Sequence, residues 1–197
     1  MSTGTRNKRR SEQNRQFFLE HDMDFTNRVL YLTGPVDEAM LSKAFKFFYA
    51  VASDEACTVI LNTGGGDTFA GLVIYDLIIS RQGHTTIRVV GEALSMGAVI
   101  LQAGTRREAT RNSIIMHHHG SLSIPEDHGR NVRNYMQFVS KHDERINRIM
   151  LNSVNKKHPE YTMKRWLERD QWDTYMFPEE AMEIGLLDAI ATLGVTP

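Results

Sequence analysis

The sequence is short of the features that mark a specialised class of protein. One cysteine in 197 residues, Cys57, excludes an intramolecular disulfide and a zinc site built on cysteine thiolates. Five prolines and fourteen glycines are too few for a collagen-like or low-complexity chain. Neither sign of charge is in excess, since 23 Lys and Arg face 24 Asp and Glu for a formal net charge of -1. Nothing in that balance points to a nucleic acid or an anionic membrane as partner. No apolar run approaches the roughly 18 to 20 residues that span a bilayer, and the longest, inside GLVIYDLII, is broken by Asp76. The opening residues carry Arg6, Lys8, Arg9, Arg10 and Arg15 against Glu12 alone. The FFLEHDMDF after them is too short and too acidic for the apolar stretch of a secretory leader. The chain is therefore expected to be soluble and cytoplasmic, with residues 1–27 as a basic N-terminal tail and divergent entry segment, the basic tail being solvated and mobile.

What is present reads as one globular domain. Hydrophobic residues make up 41% of the chain and charged residues 24%, enough to bury a core and to keep it dissolved. From Arg28 onward the pattern alternates. RVLYLTG is a strand ending in a Gly-Pro turn. In DEAMLSKAFKFFYAVAS, residues Met40, Ala44, Phe47, Phe48 and Val51 recur at helical spacing. CTVILN reads as a strand, FAGLVIYDLIISRQG as a helix and HTTIRVVGEA as a strand. SMGAVILQAGT then reads as a helix packed by small residues, and SIIMHHH as a strand. Such alternation predicts βαβ units on a mostly parallel sheet. NVRNYMQFVSKHDERINRIMLNSV carries Val132, Tyr135, Val139, Ile146 and Ile149 along one side, a long amphipathic helix over about 25 residues. It is longer than its own sheet needs for cover, so part of its stripe is expected to meet another subunit. YTMKRWLERD and PEEAMEIG read as shorter helices and LLDAIA as a last strand.

Three segments carry chemistry. Gly64-Gly65-Gly66 permits positive φ and lets backbone N–H groups approach a ligand, or simply turns a strand into a helix. In GEALSMGA, Ser95 stands between a strand end and a helix start, as an N-cap or as a nucleophile beside free N–H groups that can hold an oxyanion. In IIMHHHG, strand alternation turns His118 away from His117 and His119. His118 can serve as general base to Ser95. Alternatively the histidines are ordinary partly exposed ones, or His117, His119 and His128 form a metal site. An imidazole base needs a carboxylate on its far nitrogen, and Asp170 and Asp173 are both candidates.

Taken in order, LTGPV, LNTGGGDTFAGLVIYD, GEALSMGAVILQAG, NSIIMHHH and WDTYMFPEEAMEIGLLDAI resemble the proteolytic subunit (ClpP) family of the Clp proteases. The resemblance runs from about Arg28 to Ile190 with closely similar spacings. It implies an α/β ClpP/crotonase-like fold of repeated ββα units, a peptidase domain over residues 28–193, and an extended handle helix at about 130–155. It further implies a serine endopeptidase acting on peptides and on unfolded or dedicated protein substrates inside an oligomeric chamber, without cofactor or metal. By the family pattern the nucleophile falls on Ser95. The base falls on His118, six places after Asn112, and the acid on Asp173, eight places before Ala181. The oxyanion donors fall on the backbone N–H of Gly66 and Met96. The resemblance also implies heptameric rings stacked as a tetradecamer, and an AAA+ unfoldase partner. Three stretches depart from the family pattern. Gly64-Gly65-Gly66 replaces a usual Pro-Gly-Gly. His119, Gly120 and SLSIPEDHG replace a Gln-Pro pair and a glycine-rich strand. A basic, polar tail replaces apolar axial-loop residues. Two other readings compete: a crotonase-type acyl-CoA enzyme using the paired amides, and an inactive member serving as a structural ring component.

Overall fold

The computed structural model describes residues 16–120, 128–169 and 172–192. Asp170, one of the two acid candidates, and the basic residues up to Arg15 lie outside the described residues. After α1 (residues 16–21) come β1 (Met23–Asp24), β2 (Val29–Thr33), α2 (Glu38–Ala50), β3 (Cys57–Thr63), α3 (Thr68–Ile79) and β4 (Thr85–Leu94). Next are α4 (Met96–Leu101), β5 (Arg106–Thr110), β6 (Ile114–His117) and α5 (Gly129–Asn155). The chain closes with α6 (Met163–Arg169), β7 (Thr174–Met176), α7 (Pro178–Ile184) and β8 (Ala189–Ala191).

The order β1-β2-β3-β4-β5-β8 forms one sheet, with β6 pairing β4 and β7. Pairing is parallel except for β1 with β2 and β6 with β7. This agrees with the α/β class expected from the alternation. Leu30, Leu32, Val59, Leu61, Ile87 and Val89 recur at every second position and are fully buried, so one face of the sheet is continuous core. Phe47 of α2 and Ile74 of α3 close over it, each burial contributing on the order of 2 kcal/mol. Asp37 and Asp67 set the starts of α2 and α3, their carboxylates accepting the N–H of Met40 (2.9 Å) and Ala70 (2.7 Å).

Two features position the site. First, β4 changes neighbours along its length. Thr86–Val89 pair with β5, whereas Glu92–Leu94 pair with β6. The exchange occurs at a bulge: Leu61 faces Val89, but Thr63 faces Ala93. Gly91, at φ +102°, lies inside the bulge, and a Cβ there would stand 2.6 Å from Asn62 Oδ1. That same Oδ1 accepts the Glu92 N–H at 3.1 Å. A bulge bends its strand and re-aims the chain beyond it, here the residues leading into Ser95. Second, α4 is buried over its whole length, so the chain after Ser95 dives into the core.

Two local expectations differ from what forms, and a third is sharpened. The helix beginning at SMGAVIL ends at Leu101, and Arg106–Thr110 is a strand that its polar composition concealed. The histidine strand ends at His117, leaving His118 and His119 beyond it. Only the second half of the long helix is buried, at Ile146, Met150, Leu151 and Val154. Its first half leaves Tyr135 (38%), Met136 and Phe138 (48%) exposed. Among the described residues, no helix is long and apolar enough to cross a membrane.

Candidate active site

Strand register brings the separated residues together. Leu94 of β4 pairs with Met116 of β6, so Ser95 and His118 leave adjacent strands at the same end of the sheet. His117 pairs with Thr174 of β7 running the other way, so Asp173 arrives beside His118 from the opposite direction. The side chains then meet. Ser95 Oγ lies 2.8 Å from His118 Nε2, and His118 Nδ1 lies 3.2 Å from Asp173 Oδ1. A carboxylate can only accept, so Nδ1 carries the imidazole proton and Nε2 presents its lone pair to the serine hydroxyl. The His118 side chain is 27% exposed and that of Asp173 53%, so the arrangement faces solvent on the acid side.

Ser95 holds an uncommon backbone, φ +53° and ψ -118°, where a side chain is strained. Its N–H donates to Met116 O (2.8 Å) and its carbonyl accepts from Ala98 (3.0 Å). The peptide is thus pinned at both ends, and its hydroxyl makes no cap to α4. The N-cap alternative for this serine therefore lacks the side-chain bond that defines it.

The glycine segment packs against the same turn. A Cβ on Gly65 would stand 2.7 Å from Ser95 Cβ and 2.8 Å from Leu94 O, and one on Gly66 2.4 Å from Val36 O. Both residues have positive φ, +92° and +147°. Only glycine allows the loop to come this close. In the bridge between Val36 and Gly66 the donors are the N–H groups of Val36 (to Gly65 O, 2.9 Å) and Asp67 (to Val36 O, 2.7 Å). The Gly66 N–H therefore points away from Val36. The Met96 N–H, first in α4, has no preceding turn to donate into.

The three consecutive histidines part company. His117 is buried, 5.5 Å from the ring of Trp166 and 3.5 Å from Asn147 Oδ1, which also accepts the Trp166 indole N–H at 2.9 Å. Burial pushes the His117 imidazole down to about 4, against the opposing hydrogen bond that it donates to Asn147 Oδ1 and with help from the neighbouring His118 and His119. His119 is exposed, and His128 stands at the start of α5. Among the described residues no group of three or more His, Cys, Asp or Glu side chains could hold a metal ion.

Sequence reading missed the α5 residues that face this site, Asp143 and Asn147. Their only signal was position: Asn147 lies on the buried stripe with Ile146 and Met150, where a polar residue calls for a partner.

Comparison with known proteins gives the arrangement its context. The Clp protease family model matches residues 12–193. A relative described as the ATP-dependent Clp protease proteolytic subunit of Deinococcus radiodurans is 29% identical over 169 residues, covering 83% of this chain and 80% of its own. A match over that span, on a sheet of this topology, shows that the chain belongs to the Clp protease family.

Proposed function

We propose that this protease is a serine endopeptidase in which Ser95 is the nucleophile, His118 the general base and Asp173 the acid that orients it. The observation carrying the proposal is the continuous chain from Asp173 through His118 to Ser95 Oγ, at 3.2 and 2.8 Å. His118 Nε2 takes the hydroxyl proton as Ser95 Oγ bonds to the peptide carbonyl carbon. The N–H groups of Gly66 and Met96 hold the oxygen that gains charge, a contribution of about 3 kcal/mol per donor in such sites. Collapse expels the amine, which receives its proton from His118, and leaves an ester on Ser95. A water deprotonated by His118 then attacks that ester and releases the carboxylic acid. Asp173 keeps the imidazole in the Nδ1–H tautomer and stabilises its protonated form.

The peptidase domain is assigned to residues 28–193; of the segment before it, α1 and β1 are not tail but pack on the domain, with Met23 buried and paired with Leu30. The exposed aromatic first half of α5 supports assembly into heptameric rings stacked as a tetradecamer, which encloses the sites and restricts substrates to unfolded chains or peptides. An AAA+ unfoldase partner is proposed from the relative's description as ATP-dependent.

A fluorophosphonate probe and a peptidase assay test the chemistry. Wild type is expected to be labelled and Ser95→Ala not, while Asp173→Asn lowers kcat by about three to four orders of magnitude. Equal labelling of wild type and Ser95→Ala removes Ser95 from its role.

A further inference from the structure

The turn that carries Gly66 is held from two directions, and one of them lies outside the sheet. At its back, the bridge to Val36 and the bond from the Gly65 N–H to Thr63 Oγ1 (3.1 Å) tie it to neighbouring chain. The three glycines have no side chains with which to reach anything in front, and the Asp67 carboxylate turns back to the Ala70 N–H. The next side chain is Thr68, the opening residue of α3. Its Oγ1 lies 2.9 Å from Nε2 of His142, on α5. Two further rings join this contact. Phe69 and Phe138 are nearly parallel, 2° apart at 6.1 Å, and both pack on the His142 imidazole, at 4.8 and 5.9 Å. Phe138 and His142 stand one helical turn apart on the same face of α5. The two phenylalanines keep an outer side in water, whereas the hydrogen bond is half-buried. The cavity left beside Ser95, lined by Thr68, Met96, Val99 and Ile146 among others, measures only about 40 Å³, so α5 closes tightly on the starts of α3 and α4.

We propose that His142 is a positioning residue: through Thr68 it fixes the glycine turn against α5 and so holds the Gly66 N–H where the substrate oxygen gains charge. This rests on the reading of Ser95 as nucleophile and Gly66 as oxyanion donor. Such a donor works because it is already in place, within about 0.5 Å, when the charge develops. Three successive glycines, two of them at positive φ, are the least constrained backbone a chain offers, so the turn takes its position from outside itself. The Val36 bridge fixes one side of it, and the bond to His142 fixes the side that faces α5. A hydroxyl can accept from an Nε2–H or donate to an Nε2 lone pair, so this bond forms with either imidazole tautomer and with the protonated ring. Histidine suits the place because one ring makes both the bond and the stack. An aliphatic residue there would keep packing against Phe69 and Phe138 and lose the tie to Thr68.

Labelling of the full-length chain by a fluorophosphonate reads this out. A Ser95 Oγ–P bond forms as fluoride leaves, the serine proton passes to His118, and the phosphoryl oxygen stands where the carbonyl oxygen would, against the oxyanion donors. Outright loss of one donor costs about a hundredfold or more, so a displaced donor is expected to slow labelling about tenfold. Thr68→Val, which keeps the volume and removes the hydroxyl, and His142→Leu are each expected to show that loss. The double variant is expected to be no slower than either, because both changes break one bond. Thr68→Ser and His142→Gln keep a hydroxyl and an Nε2 donor and are expected to label within about twofold of wild type. With a fluorogenic tripeptide amide the loss is expected in kcat, with KM unchanged. Wild-type labelling in Thr68→Val, losses that multiply in the double variant, no recovery in Thr68→Ser and His142→Gln, or a loss confined to KM overturns the proposal. Ser95→Ala, run in parallel, separates the two readings. If it labels like wild type, the nucleophile assignment falls and the role of His142 with it; if it stays unlabelled while Thr68→Val reacts at full rate, the positioning role falls alone.

Discussion

Ser95, the proposed nucleophile, shows how the fold can hold a single residue in a backbone conformation it would not adopt alone. Its φ of +53° places a side chain where only glycine is comfortable, and the surroundings hold it there through Met116 O on one side and Ala98 N–H on the other. Such strain costs on the order of 1–3 kcal/mol. Comparing Ser95→Gly with Ser95→Ala isolates it, because both lose the hydroxyl and its bond to His118. The glycine variant is expected to be the more stable by about 1 kcal/mol, after allowing for the greater freedom of glycine in the unfolded chain. Urea unfolding of the two variants measures it; equal midpoints would mean that the turn is relaxed. The same tightness makes Gly65 and Gly66 unreplaceable, since a Cβ on either meets backbone oxygen at under 3 Å.

At the scale of elements, β5 and α5 depart most from what their compositions suggest. Arg106, Arg107 and Glu108 form a strand inside the sheet because each charge finds a partner. Arg88 and Arg106 both donate to Glu108, at 2.8 and 2.5 Å, while Arg107 donates to Asp188, Gln102 and the Gly185 carbonyl. Removing one partner would leave a buried charge alone, so these pairs specify the β4-β5-β8 order. Helix α5 divides in two. From Ile146 onward it is core. Before that its aromatic side chains face outward, apart from the stacking of Phe138 on Phe69 at 6.1 Å. An exposed stripe of this kind supports the proposed subunit interface. Wild type is expected to sediment as a large oligomer at micromolar concentration, and Tyr135→Glu with Met136→Glu to sediment at about half its mass or less, as burying two carboxylates costs several kcal/mol per contact. A wild-type monomer, or a double variant of unchanged mass, contradicts the interface.

For the whole molecule, the buried titratable groups set the response to acid. Folded His117 takes its proton only near pH 4, whereas a histidine in the unfolded chain does so near 6.5. Between these values the unfolded chain binds more protons, so stability falls as the pH drops, by roughly 3 kcal/mol in total from this group. Glu108 and Asp188 act lower. Burial alone would raise both carboxyls, but hydrogen bonds and charge from Arg106 and Arg88 for the first, and from Arg107 for the second, hold them below their ordinary values. Their stabilisation is complete above the unfolded carboxylate range and is lost as pH falls through the depressed folded values. Stability is therefore expected to fall in two stages, the first between about pH 6.5 and 4, the second below. Urea midpoints across pH in wild type and His117→Leu check it, since the substitution is expected to flatten the first stage alone. The same slope in both proteins would remove His117 as its cause.

Local pattern alone determined much of this protein. The alternation of apolar strands and helices yielded the parallel α/β sheet, and the 3.6-residue period yielded α5. The order and spacing of five motifs carried the resemblance to the Clp protease family, which the family match bears out, and that resemblance pointed to Ser95, His118 and Asp173 as the proposed site residues. These properties are legible because period and spacing are set within a few residues of chain. Tertiary structure decided the rest. It shows Asp173 reaching His118, through a β6–β7 register of three residue pairs that no local pattern contains. It turns Arg106–Thr110 into a strand through ion pairs with residues as many as 81 positions away. It also sets Asp143 and Asn147 against Ser95 across a helix contact that hydrophobic periodicity cannot encode, because a polar residue on a buried stripe is explained only by what it meets.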